Sequence, residues 1–268
     1  MLKKIGSFPT AKKSLGQNFL IDPNIARKIV EAIPAAPGET VLEIGPGRGI
    51  LTQILLARNF KVIAVELDNF YAGYLKETFS KNPNFSLIHA DFLSLELSKV
   101  SNRPFHVVGN LPYSITSPVL FKLIEERQFT LSATLMIQRE VAERVVGKPR
   151  TKNYGILSIW VQTFADARLI LKVPPTVFRP RPRVASAVVQ IKWKSSGEQI
   201  PKNDVYFLRL IKTAFQQRRK LLRNSLKSIF SVETQEKIGV NFNRRPEEVS
   251  IDEWIHLSNI HRPNTTQS

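Results

Sequence analysis

Short apolar runs alternate with helical patterns through the first 148 residues, and that alternation is the strongest constraint on the fold. Val41-Leu42-Glu43-Ile44, Val62-Ile63-Ala64-Val65, Phe85-Ser86-Leu87-Ile88-His89, Phe105 to Gly109 and Ala133 to Ile137 read as strands. Helical patterns follow over Ile50–Arg58, Asn69–Ser80, Ser117–Glu126 and Gln138–Val145. An earlier helix opens at Asp22-Pro23, with Asp22 as N-cap, Pro23 in the first turn, and Ile25, Ile29, Val30 and Ile33 on one face. Strand–helix alternation predicts an α/β fold with a doubly wound parallel sheet. In such sheets the functional groups stand just beyond the carboxyl ends of the strands.

Those ends carry the informative residues. The first strand runs into Gly45-Pro46-Gly47-Arg48-Gly49, where glycines permit a sharp turn and close approach to a ligand. This is not the G-x-G-x-x-G spacing of dinucleotide folds, and the tighter turn suits a nucleoside without a pyrophosphate. Glu43 at the strand end would repel phosphate and attract a cation such as a sulfonium amino acid. Together these point to S-adenosylmethionine rather than NAD or ATP. Glu66 closes the second strand 19 residues after Gly47, near the ~20 expected of an acid that binds ribose hydroxyls. Asp91 follows the third strand and offers an acceptor for an exocyclic amine. The fourth strand ends in Gly109-Asn110-Leu111-Pro112-Tyr113. An amide, a Pro-locked turn and a ring suit a grip on a planar, amine-bearing base. The alternative is a plain turn in which Asn110 caps the next helix and Tyr113 is core.

The pattern changes after residue 148. A basic loop, Lys148 to Asn153, precedes a helix over Tyr154–Phe164. Pro174 to Arg183 is a rigid, basic, extended segment, and Ala187 to Trp193 is a final strand expected to pair with one near Ala167–Leu171. Ser195-Ser196-Gly197 reads as a linker, giving a main domain over 1–196, with a basic arm over 1–16, and a helical domain over 197–268. Val205 to Ile229 reads as one amphipathic helix without an acid, and two short helices follow around Val232–Ile238 and Pro246–Ser258.

Composition narrows the partners. Lys and Arg number 39 against 22 Asp and Glu, a net charge of +17, where small domains usually manage on ~2–8. Such an excess attracts polyanions, nucleic acid foremost. There is no Cys, so disulfides and thiolate metal sites are excluded, and four scattered His residues have no metal-ligand spacing. No apolar stretch approaches the ~20 residues that span a bilayer, and no signal-peptide core is present; a cytoplasmic protein is expected.

The motifs together resemble one family. Lys13-Ser14-Leu15-Gly16-Gln17-Asn18-Phe19-Leu20, Glu43 to Gly49, Gly109 to Pro118, Pro175 to Pro180 with Val184 to Val188, and Phe215 to Leu226 are similar to the bacterial small-subunit ribosomal RNA adenine-N6,N6-dimethyltransferases, the KsgA/RsmA type. The likeness covers nearly the whole chain. It implies a Rossmann-like class I S-adenosylmethionine-dependent methyltransferase domain with a small all-helical C-terminal domain. It implies cofactor contacts at Asn18, Leu20, Gly45, Glu66, Asp91 and Asn110. The implied substrate is two adjacent adenosines in the loop of the 3′-terminal hairpin of 16S RNA, within a partly assembled small subunit, with a role in ribosome biogenesis. The protein is expected to act as a monomer, without a metal or a membrane. Ser114 departs from the Asn of many members; it lies beside the catalytic four residues, so little loss of activity is expected.

The residues themselves suggest a mechanism. Position 110 is a neutral Asn, so positioning and electrostatics are expected rather than a strong base. The Asn110 oxygen and the Leu111 carbonyl would accept from the adenine amine, while Tyr113 and Phe178 stack on the base. Phe178 could equally pack under the Pro-rich segment. RNA backbone would be held by Lys12, Lys13, Lys148, Arg150, Lys152, Arg179, Arg181, Arg183, Arg218, Arg219, Lys220 and Arg223. Arg218 and Arg219 could instead hold the helical domain, and the whole run could be a solvated face. Two rival readings are a large-subunit RNA adenine methylase, and a non-catalytic RNA-binding factor on the same fold. The charge excess makes one prediction. RNA affinity, measured by filter binding, should fall about 10³-fold between ~50 and ~200 mM salt if about six phosphates are contacted; a flat curve contradicts the basic-surface reading.

Overall fold

The computed structural model describes residues 8–12, 15–195 and 199–260. Lys13, the rest of the basic arm before Phe8 and the expected boundary at 196/197 lie outside these residues. Two compact units form: residues 1–142 with 167–193, and residues 143–166 with 194–268.

The first unit holds β1 (Phe19–Leu20), α1 (Pro23–Glu31), β2 (Thr40–Ile44), α2 (Ile50–Ala57), β3 (Lys61–Glu66), α3 (Asn69–Phe79), β4 (Phe85–His89), β5 (Phe105–Asn110), α4 (Thr116–Glu125) and β6 (Thr130–Gln138). α5 (Arg139–Val145), α6 (Ile156–Phe164) and β7 (Ala165–Val173) come next, then β8 (Phe178–Arg179) and β9 (Ser186–Trp193). Seven strands form one sheet in the order β4-β3-β2-β5-β6-β9-β7. The pairings from β4 through β6 are parallel, and β9 runs antiparallel to β6.

The chain therefore starts the sheet at β2, builds outward through β3 to β4, and returns to lay β5 on the other side of β2. That reversal opens a crevice beyond the carboxyl ends of β2 and β5, where open α/β sheets bind ligands. Ile44 of β2 pairs with Gly109 of β5 at that edge. A Cβ at Gly109 would stand 3.0 Å from the Ile44 carbonyl oxygen, so any larger residue would force the two strands apart by a few tenths of an ångström. Burial of Val41, Leu42, Ile44, Val107 and Val108 anchors the two strands in the core.

Local chemistry sets the elements as read. Asp22 accepts from the backbone N–H groups of Asn24 and Ile25, at 2.8 and 3.1 Å, and Pro23 starts α1. The strand expected near Ala167–Leu171 is β7, next to β9. Pro174 to Arg183 is not simply extended: a 3₁₀ turn at Pro175–Val177 leads into β8, which pairs antiparallel with β1.

The second unit contains α6, α7 (Asp204–Gln216), α8 (Leu222–Ser225), α9 (Val232–Lys237) and α10 (Ile251–Ile260). Residues 143–166 group with it, not with the sheet domain, because Trp160 and Phe164 of α6 pack with Phe207 of α7. The Tyr154 hydroxyl, buried, also donates to the Val249 carbonyl at 2.8 Å. The single helix expected over Val205–Ile229 is two. It breaks at Gln217 because the backbone N–H groups of Leu222 and Arg223 donate to the Arg244 and Phe242 carbonyls. Those tertiary bonds seat Leu222 and Leu226 in the core and override local propensity.

Candidate active site

A cavity of about 180 Å³ opens at the sheet's reversal point. The turn after β2 forms its floor. Gly45 and Gly47 take left-handed backbone angles (φ +61° and +54°). A Cβ at Gly47 would clash with the Phe19 ring at 2.9 Å, whereas one at Gly45 would project into open space. Glu66, at the end of β3, is buried and braces this floor. One carboxylate oxygen accepts from Gly47 N–H at 3.0 Å and the other from Asp68 N–H at 2.8 Å. Burial raises its pKa, and the hydrogen bonds from Asp68 and Gly47 pull it back down. Each oxygen keeps lone-pair capacity for a further donor. Asp91 lines the same cavity while capping a 3₁₀ turn through Leu93 N–H at 2.9 Å.

The end of β5 forms the opposite wall. The Asn110 side-chain nitrogen donates to the Asn18 carbonyl at 2.8 Å. A carbonyl can face only the NH₂ end of an amide, so this contact dictates the orientation and leaves the amide oxygen for the cavity. The N-cap of α4 is Ile115, not Asn110, so the plain capped-turn reading fails for this residue. Leu111 N–H is tied to the Met136 carbonyl at 3.0 Å, and Pro112 follows. Tyr113 is half-buried with its hydroxyl 2.9 Å from the Ser186 hydroxyl; burial raises its pKa. Phe178 packs in the core as one reading had it, 1% exposed and against Leu20 and Val108, and it also lines the cavity.

Asn18, Gly45, Glu66, Asp91, Asn110, Leu111, Tyr113 and Phe178 thus come together around one cavity. Leu20 does not. It pairs with Phe178 across β1 and β8, and its side chain is core. Glu43 also faces elsewhere: it is buried and accepts from the Thr52 hydroxyl at 2.6 Å. Burial pushes its pKa up to about 8, so it is largely neutral at pH 7 and is no cation attractor. Four participants were given no role by the sequence, although three of them lie inside the motifs quoted above. Gln17, Asp68, Ser186 and Arg48 act through contacts with residues far away in the chain.

Residues 9–262 match the family described as ribosomal RNA adenine dimethylase. The chain belongs to the ribosomal RNA adenine dimethylase family. It is similar, at 44% identity over 253 residues, to the ribosomal RNA small subunit methyltransferase A of Chlorobium phaeobacteroides, covering 94% of this chain and 91% of the relative. A dimethyladenosine transferase from Plasmodium falciparum has a similar structure, with TM-score 0.76 and 26% identity over 89% of this chain and 95% of that one. The 23S rRNA methyltransferase ErmE is similar at TM-score 0.71 and 27% identity, over 91% of this chain and all of that one (100%).

This family member is an S-adenosylmethionine-dependent ribosomal RNA adenine dimethyltransferase, with a class I methyltransferase fold and a helical C-terminal region. The cavity fits the cofactor. Two carboxylates stand at neighbouring strand ends, the walls are largely apolar, and a Cβ at Gly45 would fill space the ligand needs. Among the described residues there is no cluster of three potential metal ligands. No helix among them is long and apolar enough to cross a membrane.

The structure sorts the expected RNA contacts. Lys12, itself exposed, is ion-paired with buried Asp68 at 2.8 Å, so its charge is partly used within the fold. Arg218 bonds Glu247 at 2.5 Å and donates to the Lys152 carbonyl at 3.1 Å, which ties the basic loop to its own unit. Arg179, Arg181 and Arg183 are exposed on the first unit. Lys148, Arg150, Lys152, Arg219, Lys220 and Arg223 are exposed on the second.

Glu66 yields a sharp test. Two backbone N–H groups require two acceptor oxygens, and Glu66→Gln would set an NH₂ against one of them. Calorimetric titration should show S-adenosylmethionine binding about tenfold weaker, one unmatched polar contact being worth about 1–3 kcal/mol. Unchanged affinity contradicts the role assigned to Glu66.

Proposed function

We propose that this enzyme dimethylates the N6 amines of two adjacent adenosines in the loop of the 3′-terminal hairpin of 16S ribosomal RNA. The substrate is RNA in the small ribosomal subunit, and the protein acts as a cytoplasmic monomer in ribosome biogenesis. The 44% identity to a small-subunit methyltransferase over 94% of this chain favours this over the large-subunit reading. Retention of Glu66, Asp91 and the Asn110–Tyr113 set around one cavity favours a working enzyme over a non-catalytic binding factor.

One observation carries the mechanism: the Asn110 amide is turned by Asn18 so that its oxygen is available at the cavity. S-adenosylmethionine supplies an electrophilic sulfonium methyl when bound. Glu66 and Asp91 hold the nucleoside part, with Asn18 and Gly45 at the cavity wall. The Asn110 oxygen and the Leu111 carbonyl accept hydrogen bonds from the adenine amine. That draws its lone pair out of conjugation and aims it for in-line attack. A neutral amide holds the N–H without removing the proton, which leaves to solvent from the methylated amine. One remaining N–H still finds an acceptor in the second round. Tyr113, its hydroxyl fastened to Ser186, and Phe178 give the extruded base its stacking faces. Base–aromatic stacking contributes about 1–3 kcal/mol per base, which offsets much of the few kcal/mol of unstacking. The exposed Arg and Lys side chains named above hold phosphates.

Incubation with labelled S-adenosylmethionine and unmethylated small subunits, followed by mass mapping of the RNA, tests the assignment. Two neighbouring dimethyladenosines near the 3′ end of 16S RNA are expected, with turnover falling at least tenfold in Asn110→Ala, Tyr113→Ala and Phe178→Ala. Methylation of large-subunit RNA instead overturns the substrate; near-wild-type turnover in all three variants overturns the residue roles.

A further inference from the structure

Arg48, the fourth residue of the Gly45–Gly49 turn, is used in a way the mechanism does not explain. Its guanidinium lies 4.5 Å from the Phe8 ring centroid and 4.6 Å from that of Phe19. Its Nε is buried without a hydrogen-bond partner, so rings rather than acceptors hold this part of the cation. Phe8 in turn stacks on Tyr71 at 6.1 Å and meets Tyr74 edge-on at 5.3 Å. Phe19 lies 4.9 Å from Tyr71. The charge is felt there: burial raises the pKa of the Tyr71 hydroxyl and Arg48 opposes the rise.

A second anchor lies between the two phenylalanines. Asp68 accepts from Lys12 at 2.8 Å and from the Gln17 side chain at 3.2 Å. The Asp68 N–H bonds Glu66, the carboxylate that braces the cavity floor. Gly16, Gln17, Asn18 and Phe19 line the cavity, and the Asn18 carbonyl orients Asn110. The N-terminal segment is therefore fastened at the Phe8–Arg48–Phe19 stack and at Asp68, with the cavity-lining residues at its inner end.

We propose that Arg48 is a positioning residue for cofactor binding: clasped between Phe8 and Phe19, it ties residues 8–12 and 15–20 to the Gly45–Gly49 turn and sets Asn18 and Phe19 against the methyl donor. It rests on the assignment of that cavity to S-adenosylmethionine. The Arg48 charge serves the fold and not RNA, although the residue belongs to a strongly basic protein. Cation–ring contacts of a partly desolvated guanidinium are strong enough to matter for affinity, and an arm held in its bound shape lowers the ordering cost of binding.

Steady-state kinetics with Arg48→Met and Arg48→Lys test it, alongside calorimetric titration of S-adenosylmethionine. Arg48→Met keeps the bulk and removes the charge. It should raise the KM and Kd for S-adenosylmethionine about tenfold; bound cofactor packs against Asn18 and reseats it, so kcat at saturating cofactor, KM for RNA and the salt slope of RNA binding stay within twofold of wild type. Arg48→Lys should recover part of the affinity. Should Arg48→Met fail to fold, Phe8→Leu decides, with about a threefold rise in KM for the cofactor alone. Unchanged cofactor affinity in the folded variants overturns the proposal. So does a loss confined to kcat, or a loss of RNA affinity. Glu66→Gln is the control: if it too leaves cofactor affinity intact, the cavity assignment fails, and if it weakens binding while Arg48→Met does not, only the role of Arg48 fails.

Discussion

The parallel pairing of β2 with β5 at the sheet's reversal is the contact on which the site depends. It brings the turn at Gly45–Gly49 and the amide of Asn110 to the same edge, though the chain visits β3 and β4 in between. The approach is close enough that a side chain at Gly109 would crowd the Ile44 carbonyl. Everything functional is arranged from that edge outward. Glu66 braces the glycine floor with one oxygen and the start of α3 with the other, and Asn18 reaches in from the N-terminal segment to turn Asn110. The proposed donor cavity and amine grip lie on either side of one strand junction.

Much of this was legible in the sequence because it is local. The alternation of apolar runs and helical faces predicted the sheet. Gly45, Glu66, Asp91 and Asn110 stood at strand ends, where their position announces them. Asp22 and Pro23 announced a helix start, and both occupy it. What was not legible depends on partners far away in the chain. Nothing near Arg48 marks it as the filling between two rings, and nothing near Ser186 marks it as the anchor of the Tyr113 hydroxyl. Glu43 misled for the same reason. Its place in the motif suggested a charge at the ligand, but Thr52 and full burial turn it into a largely neutral core group. The break at Gln217 and the grouping of residues 143–166 with the helical unit likewise follow from tertiary bonds that override a local pattern.

The same lesson applies to charge. A net charge of +17 suggests that every basic run faces RNA. Several basic side chains among the described residues are partly or wholly committed elsewhere, among them Lys12 to Asp68, Arg218 to Glu247, and Arg48 to two aromatic rings. Exposed residues such as Arg219, Lys220 and Arg223 are the ones proposed to carry the electrostatic attraction, while the committed ones hold local structure. Counting charges locates the kind of partner; only contacts separate the cations that meet it from those that hold the fold.

The central claim is that a neutral amide at position 110, oriented by a carbonyl, holds the substrate amine. Single-turnover methyl transfer by Asn110→Asp, with cofactor and RNA saturating, tests it most directly. An ionised carboxylate cannot donate to the Asn18 carbonyl and would be repelled by it. Transfer should therefore fall by about 10²–10³, the scale of losing one preorganised polar contact at a reacting centre, with cofactor and RNA affinities within a few-fold of wild type. Wild-type transfer by Asn110→Asp would contradict it.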